Sequence, residues 1–552
     1  MRRSYSRLTT GSVVLTLLLT LSIGTALRPI GHTTAAPLAA DPHTLLIARD
    51  ISDAKSMDPG RFYEFTAEDM ARNVYEMLVS IHGTDVAHPR PELATSWKIT
   101  GGGKIFTFNL RHDVRFSTGN PMTANDVVFS YRRLGYLNDN PAFLMGASGT
   151  PVTIDKVEVV GKYTVRFTLP SPDVSFLAAL TDPNFGVLDS KVMKAHGGDD
   201  SPDAATKDKA TNYLNDHSLG TGPFVLTNWT RGAAGQIVLK PNKYYHGKKP
   251  SLTQMIFKGV TNATTQRLEV SRGTVDVATN IDIDGARALR GDKNVKVVTG
   301  NTLDLIYMGM TTSADVSKPL SDKRVRQAVR YAIDYNGIVH SLLSNVGTQV
   351  NSMIPVGLLG NDPATNNKLK PKQNVAKAKA LLKAAGYPNG FSIKLSYAGG
   401  VTFDGVSFDL LAPKIAHDLA AVGISAQLDP QQNSVLLAAY RAQKIPMILY
   451  NWGVDFPDSN DFAGPFSPGG GPAKRMWYTW DANLTKLVTQ ADSVSNPTKR
   501  ASLYRQIQRI WLDESPWVGV VQPRSIIVLH KGVAGYVYSP DYQNDFRTVH
   551  KS

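Results

Sequence analysis

The stretch that most constrains this fold is Pro446-Met447-Ile448-Leu449-Tyr450, a short unbroken apolar run. It is followed at once by Asn451-Trp452-Gly453-Val454-Asp455-Phe456-Pro457-Asp458-Ser459-Asn460-Asp461-Phe462. The run reads as a buried strand, and the Gly, Pro, Asn and Asp after it are turn residues. Two aromatics and a carboxylate are thereby set at a strand end, a common place for a ligand site in α/β proteins. Such a placement lets Asp455 receive a cationic group while Trp452 walls it in. Taken alone, the stretch is read more simply as an exposed Asp-rich turn beside a half-buried Trp. A calcium loop is disfavoured because the required Gly and terminal Glu are missing between Asp455 and Asp461.

The rest of the chain changes that balance. Its 552 residues exceed what one ordinary core organises, so two or three lobes are expected. An apolar fraction of 42% with 19% charged residues is that of a folded soluble protein. The lack of cysteine excludes disulfides, thiolate metal sites, a Cys nucleophile and a lipid-modified N-terminal Cys, while leaving export open. The net charge of +14 is spread along the chain without a dense Lys/Arg run. That pattern fits weak attraction to an anionic envelope better than nucleic-acid binding. GxSxG, HExxH, Rossmann and P-loop patterns are absent; the tempting Gly101-Gly102-Gly103-Lys104 is followed by Ile105, not Ser or Thr. The histidines are scattered with no HxxxH pair, which makes direct metal ligation poor. The expectation is a protein that is not an enzyme, with no cofactor and no metal.

The N-terminus reads as an address. Basic residues 1–7 precede the apolar stretch Leu8 to Leu27, and small residues follow at Thr34-Ala35-Ala36 and Leu38-Ala39-Ala40. This is the order of an export signal, cleaved after Ala36 or Ala40. An uncleaved anchor is the second reading, because the stretch approaches the ~20 residues that span a bilayer. Arg2-Arg3 leaves twin-arginine and general export both open. The body is expected outside the cytoplasm, in the periplasm or at the outer face of the membrane, and is not a lipoprotein.

In chain order, Leu45-Leu46-Ile47-Ala48 reads as a strand and Ala67 to Ile81 as a helix, from Met70, Val74, Met77 and Leu78. Leu93 to Ile99 and Ile105 to Leu110 read as strands joined by the glycine turn. Thr123 and Asp126 form a capping-box-like helix start. Ser321 or Asp322 caps a helix whose stripe is Val325, Ala328, Val329 and Ala332. Val375 to Ala385 is a further helix, stopped by Gly386.

Several of these pieces share an order and spacing with one family. They are Leu93-Ala94-Thr95-Ser96-Trp97, Phe106-Thr107-Phe108-Asn109-Leu110-Arg111, Val114-Arg115-Phe116-Ser117-Thr118-Gly119 and Pro121 to Ser130. Thr221-Gly222-Pro223-Phe224, Arg272 to Val277 and the helix Pro319 to Asp334 continue the pattern. The chain from about residue 44 to 552 resembles extracellular solute-binding proteins of the peptide-binding class, the receptors of ABC-type peptide, opine and nickel importers.

The resemblance implies an α/β fold of the periplasmic-binding-protein type. Two large lobes are joined by a hinge, with a smaller inserted third domain and mixed sheets. The implied partition is 1–40 signal or anchor; 41–78, 171–304 and 519–552 lobe I; 79–170 the inserted domain; and 305–518 lobe II. It implies capture of di- or oligopeptides by lobe closure and delivery to ABC permease subunits, by a monomer with no nucleic-acid partner. A nickel–chelate or oligosaccharide ligand, or an envelope peptide sensor or chaperone, are the alternatives. In Trp452-Gly453-Val454-Asp455 it implies that Asp455 meets the ligand's α-ammonium. Tyr63, Glu64, Thr279, Asn280, Trp477 and Tyr478 are candidate ligand contacts by family position, with Trp480 beside them, and Asp458 and Asp461 are turn-formers. Leu449 stands where some members carry Arg, and Asn433 where some carry an aromatic. The partner of a ligand carboxylate is therefore unassigned, with Lys474 and Arg475 as candidates.

Overall fold

A computed structural model describes residues 42–146, 156–541 and 544–552. The export-signal expectation for residues 1–40 lies outside them. Among the described residues no helix is long and apolar enough to cross a membrane.

One mixed sheet runs through the molecule. Its first wing is built from β1 (Thr44–Arg49), β6 (Phe224–Thr230), β7 (Gln236–Pro241), β8 (Gln254–Gly259) and β9 (Val277–Ala278), in the order β6-β7-β8-β1-β9. The second wing holds β11 (Leu305–Met310), β12 (Phe391–Ala398), β13 (Ile424–Gln431) and β14 (Met447–Trp452), in the order β13-β12-β14-β11. The 14-residue strand β15 (Trp517–His530) belongs to both wings. Its first half pairs antiparallel with β11, and its second half with β9 and with β10 (Val295–Asn301). The chain thus crosses between the wings at residues 302–304 and again near residues 522–523. The pairs β1/β8, β1/β9, β12/β13 and β12/β14 are parallel. The inner strands are covered on both faces and so read as continuous apolar runs, whereas β13 is the edge strand and is largely exposed. β11 is buried at every residue, and Met447, Ile448 and Leu449 of β14 are fully buried.

A separate antiparallel sheet, in the order β2 (Ala94–Thr100), β3 (Ile105–Leu110), β5 (Thr164–Thr168), β4 (Val157–Gly161), forms a smaller third body with helix α2 (Ala124–Leu137). The glycine turn joins β2 to β3 as expected. The Thr123 N–H donates to Asp126 Oδ2 at 2.8 Å, which fixes the start of α2. Helix α3 (Lys323–Ala332) is capped by Asp322, whose carboxylate accepts from the Arg324 N–H at 2.8 Å, and its stripe Val325, Ala328, Val329 and Ala332 is fully buried. Helix α4 (Val375–Ala384) ends before Gly386, at φ +92, a left-handed backbone that favours glycine.

One helix is shorter than its periodicity predicts. α1 (Phe65–Val74) stops at Tyr75, which turns extended, and Val79–His82 pairs as a strand with Asp85–Pro91. Met77 and Leu78 do sit in a core, but in the one under the small sheet, whereas Met70 and Val74 pack under the first wing. The apolar spacing reports burial in two successive cores, not one helical face.

Apolar side chains gather in three clusters: one fills the second wing and extends onto the first at Ala48, Val270 and Ala278, one lies against the first wing, and one fills the small body. Two of them meet at the turn after β14: Val454 is buried in the cluster of the second wing, and Phe456, two residues on, in that of the small body.

Candidate functional site

β14 delivers its last residue, Trp452, opposite Leu305 of β11. The chain then leaves the sheet, and the Val454 N–H donates to Asp304 Oδ1 at 2.9 Å. Asp304 lies where the chain crosses between wings, so this bond pins the turn to the seam. With Val454 and Phe456 anchored in different cores, Asp455 between them is held at the junction of the bodies, 6% exposed.

Asp455 faces a cavity of about 510 Å³, inside the ~300–1,000 Å³ typical of small-ligand sites. Tyr63 and, from the first turn of α1, Phe65 and Glu68 form one wall. Asn451, Trp452 and Gly453 form another, and Phe143 and Leu437 add apolar surface. Arg441, the last residue of helix α5 (Asn433–Arg441), and Arg475, the last of the short helix Gly471–Arg475, line it as well.

One end of this cavity is acidic. The Tyr63 hydroxyl donates to Asp455 Oδ1 at 2.5 Å, and the Asp455 N–H donates to Asp461 Oδ2 at 3.1 Å. Beyond these, the Asp461 carboxyl hydrogen-bonds the Asp455 carboxylate, and no basic side chain among the described residues pairs with it. Burial pushes the Asp455 carboxyl up to about 6, against the lowering pull of Tyr63 and Asp461. Burial and then the charge of Asp455 hold Asp461 well above the usual carboxylate range; burial, then Glu68, does the same to Asp182. Carboxyls are crowded here, Asp455 has no cation beside it, and an ammonium entering the cavity favours its ionised form.

The other end is basic. Arg475 stacks its guanidinium 5.2 Å from the centre of the Tyr440 ring, and both Arg475 and Arg441 lie near enough to Tyr450 to lower its phenol, against the larger upward effect of burial. Tyr450 and Trp452 share a face of β14 about 7 Å apart, at ~3.3 Å of strand rise per residue. The cavity is therefore dipolar along the end of one strand, with Asp455 and Glu68 past its terminus and two guanidiniums upstream.

Of the residues expected from sequence, Asp455, Trp452 and Tyr63 share this cavity, and so does Arg475. Thr279 and Asn280 line a neighbouring cavity of about 260 Å³. The Asn280 side chain is spent on structure, with Oδ1 accepting from the Asp50 N–H at 2.9 Å. Glu64 is half-buried outside this cavity and pairs with Lys55 at 3.0 Å. Tyr478 is fully buried in the second-wing core, and Trp477 and Trp480 are exposed, Trp477 donating its indole N–H to Gln443 O at 3.3 Å. Lys474 is exposed outside the cavity. None of these residues lines the cavity that holds Asp455. Asp458 shapes its turn, accepting from the Asn460 N–H at 2.8 Å, and also binds Arg500. Asp461 is more than a turn-former, since it sits against Asp455. Sequence reasoning missed Phe65, Glu68, Phe143, Leu437 and Arg441. A charged residue in the first turn of α1 beside the Tyr63 candidate was the one available signal for Glu68.

Comparison with known proteins follows the same lines. The profile described as "Bacterial extracellular solute-binding proteins, family 5 Middle" matches residues 88–474. The probable D,D-dipeptide-binding periplasmic protein DdpA of Escherichia coli is 28% identical over 527 residues, 94% of this chain and 95% of that protein. Heme-binding protein A of Haemophilus influenzae is 27% identical, covering 85% of each chain. Among solved structures, the ABC transporter-associated periplasmic binding protein DppA from Helicobacter pylori, in complex with the peptide STSA, superposes with a TM-score of 0.76 at 25% identity, over 92% of this chain and 98% of that one.

Proposed function

Because the chain belongs to the bacterial extracellular solute-binding proteins of family 5, we propose that it is the capture subunit of an ABC-type importer and that its dipolar cavity takes di- or oligopeptides. The carrying observation is Asp455, a buried carboxylate without a cation, at one end of a cavity whose other end presents Arg441 and Arg475. A peptide is a zwitterion that fits this polarity: the α-ammonium supplies the missing counter-ion at Asp455, and the carboxylate turns to the guanidiniums. Trp452, Tyr63 and Phe143 supply broad apolar walls with few polar tips, which tolerate varied side chains. The chain binds and releases its solute without transforming it, as members of a receptor family do.

Closure follows from the strand layout. The two crossings, at residues 302–304 and near 522–523 in β15, are the hinge about which lobe I (41–78, 171–304, 519–552) and lobe II (305–518) close over the solute. The inserted body 79–170 moves with lobe I. Residues 1–40 export the body, as a cleaved signal or a retained anchor, and the loaded monomer docks on permease subunits at the membrane.

The test is affinity by calorimetry for peptides with free and N-acetylated termini, on the wild type and on Asp455→Asn. The variant should bind free-terminus peptides on the order of a hundredfold more weakly, as when one partner of a buried charge pair is removed, and N-acetylated ones as weakly as the wild type does. Equal losses for both peptide types would remove Asp455 from this role.

A further inference from the structure

Phe65 lines two cavities at once: the one that holds Asp455 and the smaller one of about 260 Å³ behind it. Phe65 is 36% exposed. A Cβ at Gly453 would lie 2.7 Å from Phe65 Cε1 and Cζ, so the absence of a side chain there lets the ring seat flat against the turn that carries Asp455. On its other side the ring meets Phe403, with centroids 5.9 Å apart. Phe65 comes from the first wing's side of the seam, and Gly453 and Phe403 from the second. The aromatic pair is therefore a partition that exists only while the lobes are together.

What lies behind the partition differs in chemistry from what lies before it. The rear chamber is lined by Asp50, Asp53, Asp304 and Asp404 against a single cation, Arg49. Arg49 is already bound to Asp69 at 2.6 Å. Among the described residues, Asp53 Oδ1 is buried and receives no hydrogen bond from an N–H or hydroxyl, while the Asp404 carboxylate has only the Asp304 carboxyl as its hydrogen-bond partner and no cation paired with it. A buried carboxylate oxygen left without a donor is a costly group that a cationic tip would satisfy.

We propose that Phe65 is the residue that sets specificity for the ligand's first side chain: its ring is the floor of that side-chain pocket and shuts an acid-lined chamber beneath it. The inference rests on the reading of Asp455 as the ammonium acceptor. With the ammonium on Asp455, the first Cα stands beside Gly453, and its side chain projects toward the ring packed there. Short or apolar first side chains end on the ring. A lysine or arginine side chain reaches the depth of the rear carboxylates but is stopped by the ring.

The experiment measures full-chain affinity for Ala-Ala, Leu-Ala, Lys-Ala, Arg-Ala and Glu-Ala, on the wild type and on Phe65→Ala. The wild type should favour Ala-Ala and Leu-Ala. Phe65→Ala should improve Lys-Ala and Arg-Ala relative to Ala-Ala by about tenfold or more and give Glu-Ala no gain. Adding Asp404→Asn to Phe65→Ala should cancel most of that improvement. Ratios that move less than about threefold while Ala-Ala is still bound would overturn the role of Phe65, as would an equal gain for Glu-Ala. A wild type that binds none of the dipeptides would instead overturn the peptide reading beneath it. Should Phe65→Ala not fold, Phe65→Leu and Phe65→Trp carry the same test. Leu should give part of the basic-residue gain, Trp should penalise Leu-Ala against Ala-Ala, and no change in either variant would overturn the proposal.

Discussion

Asp455 and Asp458 are three residues apart on one turn, both nearly out of water, and they have opposite surroundings. Asp458 takes a two-pronged ion pair from Arg500, Nη1 to Oδ2 at 2.6 Å and Nη2 to Oδ1 at 2.8 Å, with the Tyr504 hydroxyl at 3.4 Å. Around it lobe I meets lobe II, where the Val174 N–H donates to Asp492 O at 2.8 Å, and within lobe II Arg500 Nε donates to Ala491 O at 2.9 Å. Asp455 has a phenol and a second carboxyl for company and no guanidinium. The difference teaches where to look for a ligand. A buried acid that brings its own cation is part of the scaffold, whereas a buried acid facing a cavity without one is held for a cation that arrives from outside.

The largest effect that tests this contrast belongs to the scaffold acid. Arg500→Ala leaves Asp458 and Asp492 buried with no partner charge, and removing one member of a buried pair costs about 3–5 kcal/mol. Asp492 is already pushed up to about 8, by burial and then by Asp173. Urea unfolding at pH 7.5 should show a loss of that size. A loss under about 1 kcal/mol would erase the distinction between the two acids.

The next effect has the opposite sign. In the ligand-free protein Asp455 titrates near 6 instead of its usual 3.8, chiefly through burial. Its native pKa is raised, so the unfolded chain ionises first. Stability is lost as pH rises from about 4 to 6 and the loss is complete above 6. That raised value costs the folded state about 3 kcal/mol at neutral pH, at 1.36 kcal/mol per pKa unit. Asp455→Asn should therefore stabilise the ligand-free protein at pH 7.5 by 1–3 kcal/mol, with the gain vanishing near pH 4. A variant less stable than wild type at pH 7.5 would make Asp455 a second scaffold acid.

How much of this was legible in the chain follows from the range of each interaction. The strand and turn at 447–461, the Asp322 cap and the Gly386 stop were readable because their causes lie within a few residues. So was the pairing of Trp452 with Asp455 in one site, through a familiar motif. The overlong helix after Ala67 shows the limit, since Met77 and Leu78 obey helical spacing yet serve a different core. Glu68 and Phe65 were not legible, because they reach Asp455 and Gly453 only where segments hundreds of residues apart come together; Arg441, in the same lobe as Asp455, was not legible because its place at the cavity depends on how α5 packs. Tyr478 misled for the converse reason: an aromatic beside a glycine run looks like a cleft wall, and burial in the core of its own lobe is a tertiary fact. Asp461 was read as a turn residue from composition, and its contact with Asp455 depends on how the turn folds back.

The smallest effect separates holding the acid from being the acid. Tyr63 donates its hydroxyl to Asp455 Oδ1, and a donor to a carboxylate favours the ionised form. Tyr63→Phe removes that donor and keeps the ring, including its edge-on contact with Phe143 at 5.3 Å. Two consequences run in opposite directions. Asp455 loses one stabiliser of its charge, so its carboxyl should rise above 6 and the acid limb of peptide binding should move to higher pH. The bound ammonium, which supplies the same carboxylate with new donors, replaces part of what was lost, so affinity at pH 8 should fall by less than about tenfold. Calorimetry of one free-terminus dipeptide between pH 5 and 8 reads both quantities. A uniform loss with an unmoved acid limb would mean that Tyr63 touches the ligand directly and does not tune the acid, and the contrast between the two carboxylates would then rest on burial alone.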